Sequence, residues 1–286
     1  MRTGDFQEQL RESGAYETPA SPRRSVSDRL FGWADTWYYL RMAAIVIRAF
    51  IKVRRHRYDR RAWAASSFDV LQLVEGSGAR VSILDALPVA RQRGPIVFVA
   101  NHMSVLETFL LPVILLAFND VSVVVKENLL RYPFLGAILR AVECISVGRR
   151  NVRDDLREMM DKGVAALTRG RSVLVFPQST RTATIAPSDF NTIGVKLARR
   201  AGVPVVPIAL KTDFQGIGRL VRDVGPIRRD RPVRLRFGPP LWIREQGREE
   251  HGMTVSFIAE SLASWGGNVP GSVVSDEGRQ GRRSSQ

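Results

Sequence analysis

Residues 95–107 read PIVFVANHMSVLE and contain the first clear strand of an α/β fold. Residues 96–100 form a short apolar run rich in β-branched side chains, and residues 105–117 repeat apolar side chains at helical spacing. A polar turn joins the two. Strand, turn and helix in this order are the repeating unit of parallel sheets. The stretch therefore predicts that the turn lies at a strand end, where such folds gather their chemistry.

The same alternation continues on the carboxyl side of this stretch. Further apolar runs of strand length occupy residues 121–125, 172–176, 203–210 and 233–237. Helical spacing fills residues 134–142, 152–168, 191–201 and 254–264. Strands that alternate with helices predict an α/β domain over residues 77–265, with a mainly parallel central sheet flanked by helices.

The two ends of the chain have a different composition. Residues 1–28 mix charged side chains with Ser, Pro and Gly without periodicity, and residues 266–286 are rich in Gly, Ser and Arg. Such segments lack the apolar surface needed to form a core. The sequence therefore predicts a disordered arm over 1–28 and a disordered tail over 266–286.

Residues 29–76 are predicted to form an N-terminal helical segment. Apolar and aromatic side chains dominate residues 30–51, but Arg41 and Arg48 leave too short an apolar run for a spanning helix. Residues 52–61 then carry six basic side chains and one aspartate. An apolar, aromatic helix with a basic flank is typical of an amphipathic helix on an anionic membrane surface. A buried core helix with a solvated end is the alternative.

Composition limits the classes of function. The formal net charge of +15 indicates an anionic partner, which could be nucleic acid, anionic lipid or a phosphorylated substrate. One cysteine and three histidines leave little material for a disulfide framework or a metal site, so we expect no metal. Neither an aromatic–basic RNA signature nor a zinc finger is present, so nucleic acid is not expected as a partner.

His102 and Glu107 are the candidate catalytic pair in the first turn. A neutral imidazole at a strand end can act as a general base towards a hydroxyl when a carboxylate holds its tautomer. His102 must then precede the first helical turn and fold back over it. The alternative needs no catalysis, because Ser104 and Glu107 also have the spacing of a helix capping box.

Four motifs extend this pair into a family pattern. The turn NHMSVLE at 101–107 is followed by a segment from Lys126 through Pro133 and Gly136 to Arg149, then by FPQSTR at 176–181 and VPVVP at 203–207. Over residues 95–210 the chain resembles the glycerolipid acyltransferases, the lysophospholipid or 1-acylglycerol-3-phosphate acyltransferase superfamily. Four motifs in the family's order are much more specific than any one of them.

The resemblance implies an O-acyltransferase that moves a fatty acyl group from an acyl-CoA or acyl-carrier-protein thioester to a lysophospholipid-like hydroxyl. The default acceptor is 1-acylglycerol-3-phosphate, and no cofactor is needed beyond the acyl donor. His102 matches the family's base, and Glu107 stands where the family has Asp. The matching substrate-binding positions are Arg181, Thr180, Arg149, Lys126, Gln178 and Ser179. Gln178 replaces the family's Glu and Ser179 its Gly, which alters charge and backbone freedom in the expected acceptor site.

The remaining expectations concern partners, location, a second basic region and an alternative function. Partners are an anionic membrane surface, the acyl donor and a lyso-lipid acceptor, and the location is the cytoplasmic face of the membrane, bound peripherally. Arginines crowd residues 219–234 and could bind lipid headgroups or an acidic carrier protein, or simply be hydrated. The competing function is a lipid-binding membrane-surface protein of the same fold whose altered motifs have lost catalysis.

Overall fold

A computed structural model describes residues 1–20, 26–31, 33–148, 151–178, 180–184 and 186–269. It has eight strands in these residues, in the spatial order β1-β2-β8-β7-β3-β6-β4-β5. In chain order, β1 to β8 are Tyr16–Glu17, Val81–Leu84, Val97–Ala100, Val121–Lys126, Ile145–Val147, Ser172–Val175, Val205–Lys211 and Val233–Phe237. Only the β1–β2 and β7–β8 pairs are antiparallel. The predicted mainly parallel sheet is confirmed.

Ten α-helices flank this sheet in the described part of the chain. In order, α1 to α10 are Thr3–Ser13, Val26–Phe31, Asp35–Arg54, Arg60–Gly76, Leu87–Arg91, Leu106–Leu115, Leu135–Ala141, Val152–Thr168, Ile193–Ala201 and Arg248–Ser264. Two 3₁₀ turns, Glu127–Arg131 and Pro187–Asp189, join some of them.

Both faces of the sheet are covered, as parallel sheets require. Phe98 on β3 and Leu174 on β6 belong to the larger core cluster, together with side chains of α3, α4 and α6. The alternate residues Val97 and Val173 point to the opposite face and pack with side chains of α8 and α9. The central strands therefore bury every residue, which explains why their sequences are continuous apolar runs.

The prediction of a disordered arm over 1–28 is wrong for residues 1–20 and also for 26–28, because α2 begins at Val26. Phe6 and Leu10 on α1 are fully buried in the larger cluster, and β1 extends the sheet at its edge. The helix is otherwise polar, so two apolar residues four positions apart gave too weak a periodic signal. The predicted tail also begins later, because Val269 is buried and Asn268 forms a bridge with Thr184. Residues 21–25 and 270–286 lie outside the described residues.

The segment 29–76 is helical as predicted and contains the end of α2 and all of α3 and α4. One face of α3 is buried, through Tyr38, Met42, Ile45 and Ala49. Its other face leaves Leu40, Ile47 and Ile51 exposed. Among the helices described here, none combines the length and apolarity that crossing a membrane would take.

Candidate active site

The site lies where the neighbouring parallel strands β6, β3 and β7 end. Asn101 follows β3 and is fully buried. Its amide nitrogen donates to the carbonyl of Leu210 on β7, and its amide oxygen accepts from the Leu210 N–H, both at 2.8 Å. This reciprocal pair ties the turn after β3 to the adjacent strand and so fixes the backbone position of the next residue, His102.

His102 and Glu107 are in contact as the sequence predicts. The His102 Nδ1 lies 2.5 Å from the Glu107 Oε2. Because a carboxylate only accepts hydrogen bonds, this contact places the imidazole proton on Nδ1 and leaves the Nε2 lone pair available. The Glu107 side chain has no exposed surface, whereas that of His102 is 21% exposed. The buried carboxylate therefore holds the imidazole on its Nδ1 side, while part of the ring remains accessible to solvent.

The second oxygen of Glu107 is held by three donors. Its Oε1 accepts from the backbone N–H groups of Met103 at 2.8 Å and Ser104 at 3.1 Å. It also accepts from the hydroxyl of Thr212, the residue after β7, and that hydroxyl accepts from the Ser104 hydroxyl at 3.0 Å. Only the glutamate half of the predicted capping box forms, because the Ser104 hydroxyl bonds Thr212. The same carboxylate thus orders the turn and contacts the histidine.

Residues after β6 hold His102 from the other side. The Phe176 ring stacks on the imidazole, with ring centroids 4.4 Å apart and an interplanar angle of 27°. The Gln178 Oε1 accepts from the His102 N–H at 2.7 Å, while the buried Gln178 Nε2 has no hydrogen-bond partner among the described residues. Thr182 closes the contact by donating its N–H to the His102 carbonyl at 3.0 Å. Three strands therefore position one imidazole.

The predicted phosphate-binding residues sit beside this turn. Arg181 is half-buried and forms an ion pair with Asp223, which belongs to the loop between β7 and β8. Arg222 donates to the Thr180 hydroxyl at 3.2 Å and to the Arg181 carbonyl at 3.3 Å. The guanidinium of Arg181 can offer two parallel donors to a phosphate. One of its nitrogens, Nη2, is paired with the Asp223 carboxylate.

The remaining predicted site residues are less closely placed. Lys126 ends β4, next to β6 in the sheet, and its side chain is exposed. Arg149 and Ser179 lie outside the described residues. Sequence reasoning missed Asn101 and Thr212. The first is the initial residue of the first motif, and the second comes directly after an apolar strand, which is the usual position for a site residue in a parallel sheet.

Comparisons with known proteins identify the family of this chain. A model of the family described as Acyltransferase matches residues 79–211, which contain His102, Glu107 and Arg181. The 1-acyl-sn-glycerol-3-phosphate acyltransferase of Pseudomonas aeruginosa is 32% identical over 213 residues, covering 73% of this chain and 78% of that protein. The chain belongs to the glycerolipid acyltransferase family. It is an O-acyltransferase.

Other relatives of this acyltransferase are more distant. The 1-acyl-sn-glycerol-3-phosphate acyltransferase of Borreliella burgdorferi is 26% identical over 125 residues, covering 42% of this chain and 46% of that protein. The crystal structure of the 1-acyl-sn-glycerophosphate acyltransferase PlsC of Thermotoga maritima superposes with a TM-score of 0.58 at 20% identity. That match covers 84% of this chain and 98% of the other. It supports the fold.

Proposed function

We propose that this acyltransferase moves a fatty acyl group from an acyl-CoA or acyl-carrier-protein thioester to the free hydroxyl of 1-acylglycerol-3-phosphate or a similar lysophospholipid. The observation that carries the proposal is the contact of His102 with Glu107. The contact leaves one imidazole nitrogen available at a partly exposed strand end. The names of the relatives supply the acceptor, since the Pseudomonas aeruginosa and Borreliella burgdorferi proteins are both 1-acyl-sn-glycerol-3-phosphate acyltransferases.

The reaction needs one base and no covalent intermediate on the protein. The His102 Nε2 takes the proton of the acceptor hydroxyl as its oxygen attacks the thioester carbonyl carbon. The carbon–sulfur bond then breaks, and the thiolate takes the proton back from the imidazolium, which gives an ester and a free thiol. Glu107 stabilises the imidazolium between these steps, because its buried carboxylate stays within hydrogen-bond distance of Nδ1.

Arg181 would hold the phosphate of the acceptor. Its guanidinium keeps its charge at any working pH and matches phosphate geometry. It follows Thr180 in the turn that also contacts His102 through Gln178 and Thr182, so a phosphate bound there stays close to the base. Arg149, Lys126 and Ser179 are further candidates from the family pattern.

Two apolar features are suited to the lipid parts of the substrates. An apolar cavity between α3, α4, α6 and α7 is bounded by Ile45, Trp63, Phe109 and Leu139, and Phe109 is two residues from Glu107. It is a place for an acyl chain. The exposed face of α3, with the basic residues 52–61 between its last turn and the start of α4, is suited to an anionic membrane surface. Because acyl thioesters are cytosolic, we place the protein on the cytoplasmic face, bound peripherally.

Replacement of His102 tests the reaction. Purified protein with acyl-CoA or acyl-carrier protein and a panel of lyso-lipids should release free thiol, and His102→Ala should abolish release while the circular dichroism spectrum is unchanged. His56→Asn is the matched control, because His56 is exposed and its positive φ suits Asn. Near-wild-type rates in His102→Ala would show that the base is wrongly assigned.

Replacement of Arg181 tests the acceptor. Arg181→Ala removes both donors from the phosphate site, so we expect KM for 1-acylglycerol-3-phosphate to rise by about 100-fold while kcat changes little. Arg200→Ala is the matched control, because Arg200 also pairs with one aspartate, Asp161, but on the exposed surface between α8 and α9. An unchanged KM in Arg181→Ala would place the phosphate elsewhere.

The competing proposal is a lipid-binding protein of the same fold without catalysis. The observation in its favour is Gln178, which replaces the family's Glu and whose buried amide nitrogen has no partner in the part of the chain that the structure describes. Binding to lyso-lipid vesicles without thiol release from any donor would support this alternative. Thiol release that depends on His102 would exclude it.

A further inference from the structure

The loop between β7 and β8 has an apolar tip that the proposed reaction does not use. Leu220 is fully exposed, and Val221 and Val224 are each more than half exposed. Single exposed apolar residues are common, but three within five residues form a patch that usually marks a contact surface. We call residues 217–228 the apolar loop.

The apolar loop is a formed structure. Gln215 and Ile227 make an antiparallel bridge at its base, and the Gly216 N–H donates to the Pro226 carbonyl at 3.0 Å. A Cβ atom at Gly225 would lie 2.1 Å from the Gly216 carbonyl oxygen. The two sides of the loop are therefore so close that only glycine fits at this position. The exposure of the tip is therefore fixed by the fold of the loop.

One side of the apolar loop faces the phosphate-binding residues. Asp223 pairs with Arg181, and Arg222 donates to Thr180 and to the Arg181 carbonyl. Gln215 holds the Asp223 carbonyl at 3.1 Å. Neighbouring residues of the loop therefore face in different directions. The polar side chains of Arg222 and Asp223 contact the site, and the apolar side chains of Leu220, Val221 and Val224 face solvent.

The base of the apolar loop is fixed to the start of α3. The Asp35 carboxylate accepts from the Ile227 N–H at 3.0 Å and from Arg229 at 2.7 Å. The Tyr39 hydroxyl donates to the Gly225 carbonyl at 2.6 Å. Trp33, two residues before Asp35, is 75% exposed. The loop and the exposed aromatic end of α3 therefore belong to one side of the protein.

Charge favours an anionic lipid surface as the occupant. The apolar loop contains three arginines, Arg219, Arg222 and Arg228, and a single acidic residue, Asp223. Apolar side chains between arginines match a bilayer interface, where the former enter the acyl region and the latter meet phosphate headgroups. A carrier protein would offer acidic side chains, but it gives no reason for a fully exposed leucine at the tip.

We propose that the apolar loop is a second membrane contact, separate from α3, which inserts Leu220, Val221 and Val224 among anionic lipids. Insertion pulls the loop away from the site, so that Asp223 leaves Arg181 and a phosphate takes its place. This second step rests on the proposed role of Arg181, whereas membrane binding by the loop stands without it.

Vesicle co-sedimentation tests the contact directly. The full chain carrying Leu220→Ser, Val221→Ser and Val224→Ser should bind phosphatidylcholine–phosphatidylglycerol vesicles about tenfold more weakly than the unchanged protein. Leu220→Asp alone changes a fully exposed side chain, which leaves the fold intact, and should give a smaller loss. The matched control is Trp242→Ser with Met253→Ser, two exposed apolar side chains elsewhere, which should leave binding unchanged.

Two results would overturn the contact. The first is that the triple variant binds vesicles as tightly as the unchanged protein. The second is that the triple variant binds vesicles normally but no longer binds acyl-carrier protein. That result would make the loop a protein-docking surface. Neither measurement requires turnover, so both remain informative if the proposed acyltransferase reaction fails.

Asp223→Asn tests the coupling to Arg181. The variant breaks the ion pair, so KM for a short-chain, water-soluble phosphate acceptor should fall about two- to fivefold, and added vesicles should lower it no further. The triple variant should match the unchanged protein on this soluble acceptor and lose rate only when the acceptor is in vesicles. If Asp223→Asn leaves KM for the soluble acceptor unchanged, Asp223 does not compete with the phosphate.

Discussion

Glu107 and Glu75 are both buried carboxylates, and their partners decide what each can do. Glu75, at the end of α4, accepts from the Tyr16 hydroxyl at 2.7 Å and the Thr18 hydroxyl at 2.8 Å. Burial raises the pKa of Glu75, although both hydroxyl hydrogen bonds oppose the shift. Burial also raises the pKa of Tyr16, so its hydroxyl keeps its proton. Glu75 therefore fastens the N-terminal segment.

Glu107 differs in having an imidazole among its partners. His102 can take up a proton and return it, and part of its ring is exposed. A buried carboxylate thus serves chemistry when one partner can exchange a proton with a substrate, and serves stability when all its partners keep theirs. The same substitution at both positions separates these roles.

Among the substitutions that test this comparison, Glu107→Gln has the largest expected effect. The amide nitrogen would donate to the His102 Nδ1, so the imidazole proton would move to Nε2, where a base must have a free lone pair. We expect kcat to fall by about 10³- to 10⁴-fold with little change in KM, measured by steady-state thiol release.

Glu75→Gln is the matched control for that experiment. It makes the same chemical change at the other buried carboxylate, and its amide oxygen can still accept from Tyr16 and Thr18, so kcat should be unchanged. A Glu107→Gln enzyme that keeps a tenth or more of the wild-type kcat would mean that Glu107 only orders the turn, as the capping-box alternative has it.

Thr212→Val has an intermediate expected effect. It removes one of three donors from the Glu107 Oε1 and leaves the Ser104 hydroxyl without its acceptor. We expect kcat to fall about tenfold and the free energy of unfolding by about 1–2 kcal/mol, from rates and urea denaturation. Thr254→Val is the control, because Thr254 is equally buried and donates to a backbone carbonyl within α10. If kcat falls equally in Thr212→Val and Thr254→Val, Thr212 contributes only to packing.

The fold was largely predictable because its central strands are fully buried. The continuous apolar runs at β3, β6 and β7 are recognisable from their own sequence, and β4 and β8 keep enough buried apolar residues to be recognised as well. The missed strands β1, β2 and β5 have two to four residues, and β1 and β2 alternate with less buried positions, so their signal is weak. The helix α1 was missed because its stability comes from docking Phe6 and Leu10 into a core that the sequence does not display.

The site was predictable only in its local part. His102 and Glu107 are five residues apart, so one turn brings them together. Thr212 is 105 residues from Glu107, and the two meet only because β7 lies beside β3, an order that periodicity does not reveal. The pairing of Arg181 with Asp223 depends in the same way on how a long loop folds back.

The smallest expected effect concerns Glu75 and pH. Its pKa in the folded protein is raised above the ordinary value of 4.5, so the folded state holds this proton more tightly than the unfolded state. As pH rises above 4.5 the unfolded chain releases this proton first, so the free energy of unfolding falls. The fall ends once pH has passed the pKa of Glu75 in the folded protein. A glutamine carries no such proton and lacks this loss.

Urea denaturation of the wild type and Glu75→Gln between about pH 4 and pH 8 measures the difference. Relative to wild type, Glu75→Gln should gain unfolding free energy as pH rises above 4.5, and the gain should level off once the folded carboxyl has ionised. Asp69→Asn makes the same change at an exposed carboxylate on the same helix, paired with Arg48, and should follow wild type. Parallel curves for wild type and Glu75→Gln would mean that burial does not raise the pKa of Glu75. In that case the contrast between Glu75 and Glu107 would rest on the imidazole alone.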